Sequence, residues 1–268
     1  MMRVLICGLL NTPNGDAGAL RQHKLAIMCH ALGHEIMVVG LGKSNGMNQM
    51  SIDGITYISL REGAGNVRDK VMSHLRYWKR LKIVMSSFRP DVIIMDDLGP
   101  SKTIKLKQYC RARQIRLIHD SVEWYSPEQF KHGKFSLGYI RKDVLNRFLI
   151  DKTCGVIAIS RYLEDHFKAK GCFCVRIPIV ITEADLCKEK DLPEDKVVFT
   201  YAGQPGKKDY LHVMLDAFAL LPSELLQHVV FNIVGCTKEQ MIAAGIGSEV
   251  LDKLEKQLVI HGRVSHDE

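Results

Sequence analysis

The sequence has little of what marks an exported, membrane-spanning or metal-binding protein. The apolar run near its start, Val4 to Leu10, is too short to span a bilayer, and Asn11-Thr12-Pro13 follows it instead of a small-residue cleavage site. The 268 residues include eight cysteines, which form neither CxxC pairs nor the Cys/His spacing of a zinc site. These absences predict a cytoplasmic protein with reduced, buried thiols and no bound metal.

Acidic residues are outnumbered, and the resulting net charge of +7 favours anionic partners such as nucleotides, diphosphates or acidic lipid surfaces. No nucleic-acid partner is expected. Basic residues concentrate in two segments, a predicted helix from Arg68 to Phe88 and the stretch from Lys102 to Arg116. One side of the helix is basic and carries Arg76, Lys79 and Arg80, whereas Val71, Leu75 and Trp78 lie on another side. The basic side has two alternative interpretations, a solvated face or peripheral contact with an anionic membrane.

Short β-rich runs alternate with helical patterns along the chain, which predicts an α/β fold of βαβ units with a mainly parallel sheet. Two helices show apolar stripes that are expected to be core, one with Leu20, Lys24, Ile27, Met28 and Ala31 and one with Val71, Leu75, Trp78, Leu81 and Met85. The predicted strands of a first domain are Arg3–Cys7, Ile36–Gly40, Ile55–Ser59, Asp91–Met95, Arg116–His119, Gly155–Ile159 and Phe173–Ile177.

A charged, proline-punctuated stretch then interrupts this pattern and predicts a linker between two domains. We predict a complete N-terminal Rossmann-like domain over residues 1–180, a linker over 181–196 and a partial C-terminal domain over 197–268. In the second domain the predicted strands are Val197–Ala202, Val229–Val234 and Leu258–His261, with helices near Tyr210–Leu221 and Lys238–Lys256. Three strands leave unpaired edges, so this domain is expected to be incomplete.

The first strand-to-helix junction is rich in glycine. Gly15, Asp16, Gly18 and Arg21 lie in it or just after it. Backbone amides at such a helix start hold a phosphate or sugar hydroxyls, and an ordinary glycine-rich turn is the alternative. The spacing is not the GxGxxG fingerprint of a nicotinamide dehydrogenase, and no acidic residue follows the second strand at Gly40.

Ionisable residues cluster after the fifth predicted strand, at His119, Asp120 and Glu123. Open α/β sheets bind ligands at the carboxyl ends of their strands, which makes this a candidate site. His119 is a candidate catalytic residue that orients or deprotonates a hydroxyl, while Asp120 and Glu123 are candidates for binding sugar hydroxyls. A polar residue satisfied within the fold is the alternative for His119.

A third segment combines a strand, a flexible turn, lysines and a helix. It contains Gly203, Gln204, Lys207 and Lys208. The glycine permits close backbone approach, and a lysine ammonium can neutralise a diphosphate leaving group, whereas solvated lysines at a helix start are the alternative.

In their order along the chain, these segments resemble the retaining GT-B glycosyltransferases of the GT4 family. The resemblance covers essentially the whole chain, and the colinear set is more specific than any one fragment. The segments that carry it are Ala31–Val39 (ALGHEIMVV), Arg89–Ile94 (RPDVII), Val156–Leu163 (VIAISRYL), Tyr201–Asp209 (YAGQPGKKD) and His261–Ser265 (HGRVS).

The resemblance implies transfer of a sugar from a nucleoside diphosphate donor, with retention at the anomeric carbon, to a polysaccharide or lipid-linked acceptor. It implies no metal or other cofactor. Lys207 or Lys208 would contact the donor diphosphate, Gly18 and its neighbours the sugar-phosphate region, and His119 the reacting sugar.

Several positions depart from the family's pattern. Gln204 stands where many relatives carry arginine, and Asp209 replaces a glycine. The family's E-x7-E region has no counterpart after Glu268, so we expect little or no transfer activity from residues 1–268. A UDP-sugar 2-epimerase of the same architecture and a non-catalytic module that binds an acceptor or partner are the alternative functions.

Overall fold

The computed structural model describes residues 1–12, 17–42, 49–61, 67–181, 195–206 and 209–264. The chain divides into two compact units, Met1–Leu186 and Cys187–Glu268. Most of the predicted linker, residues 182–194, lies outside the described residues, as do Gly15, Asp16, Lys207 and Lys208.

The first unit is built on an eight-stranded sheet in the order β3-β4-β2-β1-β5-β6-β7-β8, in which only β3 runs antiparallel to its neighbour. The prediction of a mainly parallel sheet is confirmed, and each of the seven predicted strands is present with ends shifted by at most two residues. The strands are β1 Arg3–Cys7, β2 Glu35–Gly40, β3 Gln49–Ile52, β4 Ile55–Ser59, β5 Val92–Met95, β6 Arg116–Ser121, β7 Gly155–Ala158 and β8 Cys174–Arg176.

The order of the strands reverses between β1 and β5. From β1 the chain proceeds outward through β2 and β4, whereas from β5 it proceeds in the opposite direction through β6, β7 and β8. The crevice outside the carboxyl ends of the strands at such a switch point is where open α/β sheets bind ligands. Gly8 and Asp96, the residues that directly follow β1 and β5, therefore flank the position of greatest functional interest.

In the described parts of the first unit, five α-helices lie between these strands. They are α1 Ala17–Ala31, α2 Val67–Phe88, α3 Pro100–Arg113, α4 Leu137–Val144 and α5 Arg161–Ala169. A π-helical turn, Leu145–Leu149, follows α4 directly.

The buried face of α1 differs from the predicted stripe. Of that stripe only Lys24 is buried, while Met28 and Ala31 are exposed and Leu20 and Ile27 are half-buried. The helix instead buries Ala19, Arg21, Gln22, Lys24, Leu25 and Ala26. The apolar pattern failed here because α1 turns polar side chains towards the carboxyl edge of the sheet, where partners or ligands compensate for their burial.

The apolar face of α2 is also rotated from the prediction. Leu81 and Met85 are buried as expected, but Val71 is 52% exposed and Leu75 is 71% exposed. Their places in the core are taken by Tyr77, Val84 and Phe88. These residues follow the three-to-four-residue spacing of a helix face, so the predicted periodicity is right and its phase is wrong at the start of the helix.

The second unit contains a three-stranded parallel sheet in the order β11-β10-β9, with β9 Val197–Ala202, β10 Val229–Val234 and β11 Leu258–Gly262. The prediction of these strands is confirmed. Its helices are α6 Leu211–Ala219, α7 Ser223–Leu226, α8 Lys238–Ala243 and α9 Ser248–Lys253. The second predicted helix is thus two short ones, because the chain adopts a positive φ of 96° at Gly245.

Two general properties of the described residues bear on function. None of their helices is both long enough and apolar enough to cross a bilayer. The seven cysteines among them are free, and six of these are buried.

Candidate functional site

The candidate site of the first unit lies at the carboxyl ends of β1, β5 and β6. Gly8 follows β1, Asp96 and Asp97 follow β5, and Asp120 lies near the end of β6. Three acidic groups thus meet at one edge of the sheet, and their neighbours decide what each can bind.

Arg21 and Asp120 form a buried ion pair. Arg21 Nε lies 3.2 and 3.0 Å from the two carboxylate oxygens of Asp120, and Nη2 lies 2.9 Å from Oδ1. The same guanidinium donates to the backbone carbonyls of Pro178 at 2.8 Å and Ile177 at 3.0 Å. Burial raises the pKa of Asp120, and the Arg21 guanidinium opposes that rise.

In this arrangement the two side chains, 7% and 4% exposed, are engaged with each other. They fasten α1 to β6 and to the segment after β8 at the carboxyl edge of the sheet. Their role in sugar or acceptor binding stays a prediction.

His119 is also placed differently from its predicted role. Its imidazole has no exposed surface and packs edge to face on Phe167, with ring centroids 6.2 Å apart. Among the described residues neither ring nitrogen makes a hydrogen bond at normal geometry, although the backbone of Met95 and the side chain of Asn146 lie near enough to influence the imidazole. Burial, assisted by the nearby charge of Lys142, lowers the pKa of His119 to about 3. A neutral, enclosed imidazole does not contact a ligand directly in this conformation.

Asp97 is the centre of a second ion-pair cluster. Its Oδ2 lies 3.0 Å from Arg141 Nη2 and 3.7 Å from Lys142 Nζ, and its Oδ1 accepts from the backbone amide of Gly99 at 2.8 Å. Although burial alone would raise it, the pKa of Asp97 is lowered by the two cations. Asp97 is therefore ionised and committed to holding α4 beside the end of β5.

Asp96, in contrast, makes no ion pair within the part of the chain that the structure describes, and it is half-buried. The pKa of Asp96 is raised to about 6, chiefly by burial. The neighbouring carboxylates of Asp120 and Asp97 also raise this pKa, whereas the ammonium of Lys142 lowers it. A carboxyl group with this pKa gains and loses its proton near neutral pH, which suits a general base that deprotonates a hydroxyl.

The raised pKa of Asp96 predicts a pH-dependent effect of Asp96→Asn on stability. A carboxyl whose pKa is higher in the folded state stabilises the fold only when protonated. Its contribution is therefore present below about pH 4 and lost as pH rises through about 6. We expect the free energy of unfolding of Asp96→Asn, relative to the parent, to rise by up to about 3 kcal/mol between pH 4 and pH 7.

Urea unfolding followed by tryptophan fluorescence measures this difference, because both tryptophans, Trp78 and Trp124, lie in the first unit. Asp165→Asn is the matched control, since that carboxylate is 70% exposed. A difference between Asp96→Asn and the parent that does not change with pH would contradict the prediction.

The other predicted residues of the first unit have less defined surroundings. Gly18 lies half-buried in the first turn of α1, and Glu123 is exposed on the segment after β6. Gly15 and Asp16 lie outside the described residues. The roles of all four in sugar or acceptor binding remain predictions.

In the second unit, the turn after β9 has the expected strand–turn–helix setting. Gly203 N donates to Val234 O at 2.9 Å, and Gly206 N donates to Asp209 Oδ2 at 2.9 Å. Asp209, which departs from the family's glycine, thus accepts a hydrogen bond from the backbone of Gly206. Gln204 in this turn is exposed.

Gly235 fits against this turn from the neighbouring strand. It has a φ of 104°, and a Cβ there would lie 2.7 Å from Gly203 O. The carboxyl ends of β9 and β10 therefore approach each other as closely as a glycine allows, which fixes the position of the Gly203 turn.

Sequence reasoning missed four residues of the first site, namely Gln22, Asp96, Asp97 and Lys142. A signal existed for the two aspartates, since they directly follow a predicted strand at the carboxyl end, where ligands bind. None existed for Gln22 or Lys142, because only the packing of α1 and α4 shows that they are buried.

No family model and no curated protein matches the sequence. Solved structures do match. Sucrose-phosphate synthase from Thermosynechococcus elongatus has a TM-score of 0.74 at 14% identity, over 100% of this chain and 72% of that one. WaaG, a glycosyltransferase involved in lipopolysaccharide biosynthesis, has a TM-score of 0.66 at 12% identity, over 98% of this chain and 70% of that one.

A structure assigned as a UDP-N-acetylglucosamine 2-epimerase from Listeria monocytogenes is also similar, with a TM-score of 0.56 at 10% identity over 99% of this chain and 70% of that one. At such identities the likeness shows the fold alone. The chain has a GT-B-like α/β fold with Rossmann-like units.

Proposed function

We propose that this protein is a nucleotide-sugar-dependent glycosyltransferase of the GT4 type. The proposed reaction is transfer of a sugar, with retention of anomeric configuration, to a polysaccharide or lipid-linked acceptor, and residues 1–268 are expected to show its ligand binding rather than its turnover. The observation that carries the proposal is the GT-B-like fold over essentially the whole chain, matched to glycosyltransferases at TM-scores of 0.74 and 0.66. The order of the sequence motifs supports it independently.

The donor diphosphate is proposed to bind at the turn between β9 and α6. Gly203 permits close approach of the backbone, Gln204 offers an exposed side-chain amide, and Lys207 and Lys208 follow at once in sequence. Fixed ammonium groups stabilise the charge that develops on a diphosphate leaving group without a metal ion. No cofactor is required in this proposal.

The first unit is proposed to hold the acceptor and the transferred sugar. Gly15, Asp16, Gly18 and Glu123 are its candidate contacts. Arg21, Asp120 and His119 are buried and are proposed to act as positioning residues, holding the carboxyl edge in the geometry that a ligand needs.

Calorimetric titration of the protein with UDP, ADP and GDP tests the donor site. We expect one of these nucleotides to bind, and Lys208→Ala to weaken that binding by about tenfold or more, as expected for loss of one charge-assisted hydrogen bond. Lys253→Ala, which removes an exposed cation of α9, is the control and should bind like the parent. Absence of binding to all three nucleotides, or unchanged binding by Lys208→Ala, would count against the proposal.

A UDP-sugar 2-epimerase is the second candidate, because a structure assigned to that activity shares the fold. An epimerase needs no acceptor, so incubation with UDP-N-acetylglucosamine alone separates the two functions. A transferase leaves the sugar configuration unchanged in the NMR spectrum, whereas an epimerase produces the 2-epimer.

We also propose peripheral adsorption to anionic membranes through α2, where Arg76 and Lys79 are exposed beside the exposed side chains of Val71 and Leu75. Arg80 is excluded from this surface, since it donates to the carbonyls of Leu60 at 3.1 Å and Arg61 at 3.3 Å. Each cation placed at the lipid surface contributes on the order of 1 kcal/mol, so adsorption should be reversible and sensitive to salt.

Sedimentation with anionic and neutral liposomes at low and high salt measures this adsorption. The double substitution Arg76→Glu and Lys79→Glu should abolish binding to anionic liposomes. The same charge change at the exposed residues Lys253 and Lys256 of the second unit should not. Equal loss in both variants, or no binding by the parent, would exclude α2 as a membrane contact.

A further inference from the structure

At the switch point between β1 and β5, the backbone of Gly8 is held by two hydrogen bonds. Its amide donates to Val39 O at 3.1 Å, and its carbonyl accepts from the hydroxyl of Tyr77 at 2.8 Å. Tyr77 is fully buried. Both backbone groups of Gly8 are thus satisfied, and the residue presents only its Cα to whatever lies above it.

The side chains of Gln22 and Asp96 lie next to the Cα of Gly8. A Cβ added at Gly8 would lie 2.5 Å from Gln22 Nε2 and 3.4 Å from Asp96 Cβ, so the two side chains share one small region. Glycine at this position is what leaves room for the Gln22 amide beside Asp96.

Gln22 is 2% exposed, and within the part of the chain that the structure describes neither its amide nitrogen nor its amide oxygen has a hydrogen-bond partner. Buried amide groups are nearly always paired, because leaving them unpaired destabilises the fold. A buried and unpaired amide beside a ligand-binding edge indicates a partner that arrives from outside the chain.

The charges around Asp96 show what kind of partner fits. The carboxylates of Asp97 and Asp120 and the ammonium of Lys142 face it, and the nearby Arg21 guanidinium is bound by Asp120. Lys142 lies 3.7 Å from Asp97. With the cations engaged and three carboxyl groups close together, a phosphate is disfavoured and an uncharged hydroxyl is favoured.

The geometry points to a binding site for a saccharide hydroxyl group at Gly8, in which Asp96 accepts a hydrogen bond from the hydroxyl and the Gln22 amide donates one to its oxygen. Asp96 is half-buried, so the ligand enters from its side. This inference rests on the proposed function, which makes a saccharide the substrate. It assigns the recognition to residues other than those that the sequence motifs indicated.

Three variants test the site. Gln22→Met keeps the length of the side chain and removes its polar atoms, Asp96→Asn removes the charge, and Gly8→Ala places a methyl group 2.5 Å from the Gln22 amide nitrogen, which must move. Gln108→Met and Asp165→Asn make the same changes at exposed positions and serve as matched controls. The probes are the methyl glycosides of glucose, galactose, mannose and N-acetylglucosamine, titrated into 15N-labelled protein and followed by NMR, with UDP titrated separately.

We expect at least one glycoside to bind the parent and to shift the side-chain amide resonance of Gln22, which is assigned by its absence in Gln22→Met. Each of the three site variants should weaken that binding by about tenfold or more, and the controls should not. Gln22→Met should also raise the melting temperature by about 2–4 °C, since it removes an unpaired buried amide.

Several results would overturn the inference. One is that the parent binds no glycoside, and another is that Gln22→Met and Asp96→Asn bind the glycosides as the parent does. A third is a lower melting temperature for Gln22→Met, which would show that the Gln22 amide is structural. Loss of UDP binding together with glycoside binding in these variants would assign the site to the nucleotide and also overturn it. If UDP fails to bind the parent but the glycosides behave as expected, the donor proposal fails while this site stands.

Discussion

Replacing Arg21 with alanine is expected to lower the free energy of unfolding of the first unit by about 3–5 kcal/mol, because it leaves the carboxylate of Asp120 buried without its counter-ion. The loss also removes the hydrogen bonds to the carbonyls of Ile177 and Pro178. The substitution combines an uncompensated buried charge with the release of three segments of chain from one another, namely α1, β6 and the segment after β8.

Urea unfolding followed by tryptophan fluorescence measures the effect. The double substitution Arg21→Met and Asp120→Leu should recover most of the lost stability, since replacing both members of a buried ion pair with apolar residues is often neutral. Lys168→Ala breaks an exposed pair with Glu164, 2.7 Å long, and should leave the midpoint nearly unchanged. An Arg21→Ala variant as stable as Lys168→Ala would show that the buried pair does not hold the edge of the sheet.

Acid should destabilise the first unit through His119. The pKa of this histidine is about 3 in the folded protein, and an unfolded histidine titrates near 6.5. Because the folded pKa is the lower one, protonation favours unfolding. The stabilisation is complete above about pH 6.5 and is lost as pH falls towards about 3.

The loss amounts to about 1.4 kcal/mol per pH unit, so it reaches nearly 3 kcal/mol at about pH 4.5. His119→Phe has no proton to gain. Its free energy of unfolding relative to the parent should therefore improve by that amount between neutral pH and about pH 4.5. His132→Phe, at an exposed position, controls for the removal of a histidine. An NMR titration that places the pKa of His119 near 6 would contradict the buried, neutral state.

The strands could be predicted because each is a short apolar run between turn residues, and the parallel order followed from the helices between them. One strand was missed although its signal was present. The residues Asp53 and Gly54 have positive φ of 52° and 75° and form the two-residue hairpin turn that joins β3 to β4. An Asp-Gly pair is a strong hairpin signal, and it was not used.

The site was harder to predict than the fold, and α1 shows why. Periodicity assigns apolar residues to the buried face, but α1 buries Arg21, Gln22 and Lys24. Arg21 has a partner 99 residues away in sequence, and no local pattern identifies Asp120 as that partner. The motif order predicts a site at the carboxyl edge of the sheet. Which side chains are enclosed there, and which remain open to a ligand, depended on packing that a single sequence does not specify.

The most direct test of the central claim is a crystal structure of the protein with a bound UDP-sugar. The account predicts the diphosphate against the backbone of residues 203–206, with the Lys208 ammonium in contact with it. It predicts no phosphate at Gly8, where Asp96 and its neighbouring carboxylates repel one. A diphosphate bound at Gly8 in the first unit, with the turn after β9 left empty, would contradict the account.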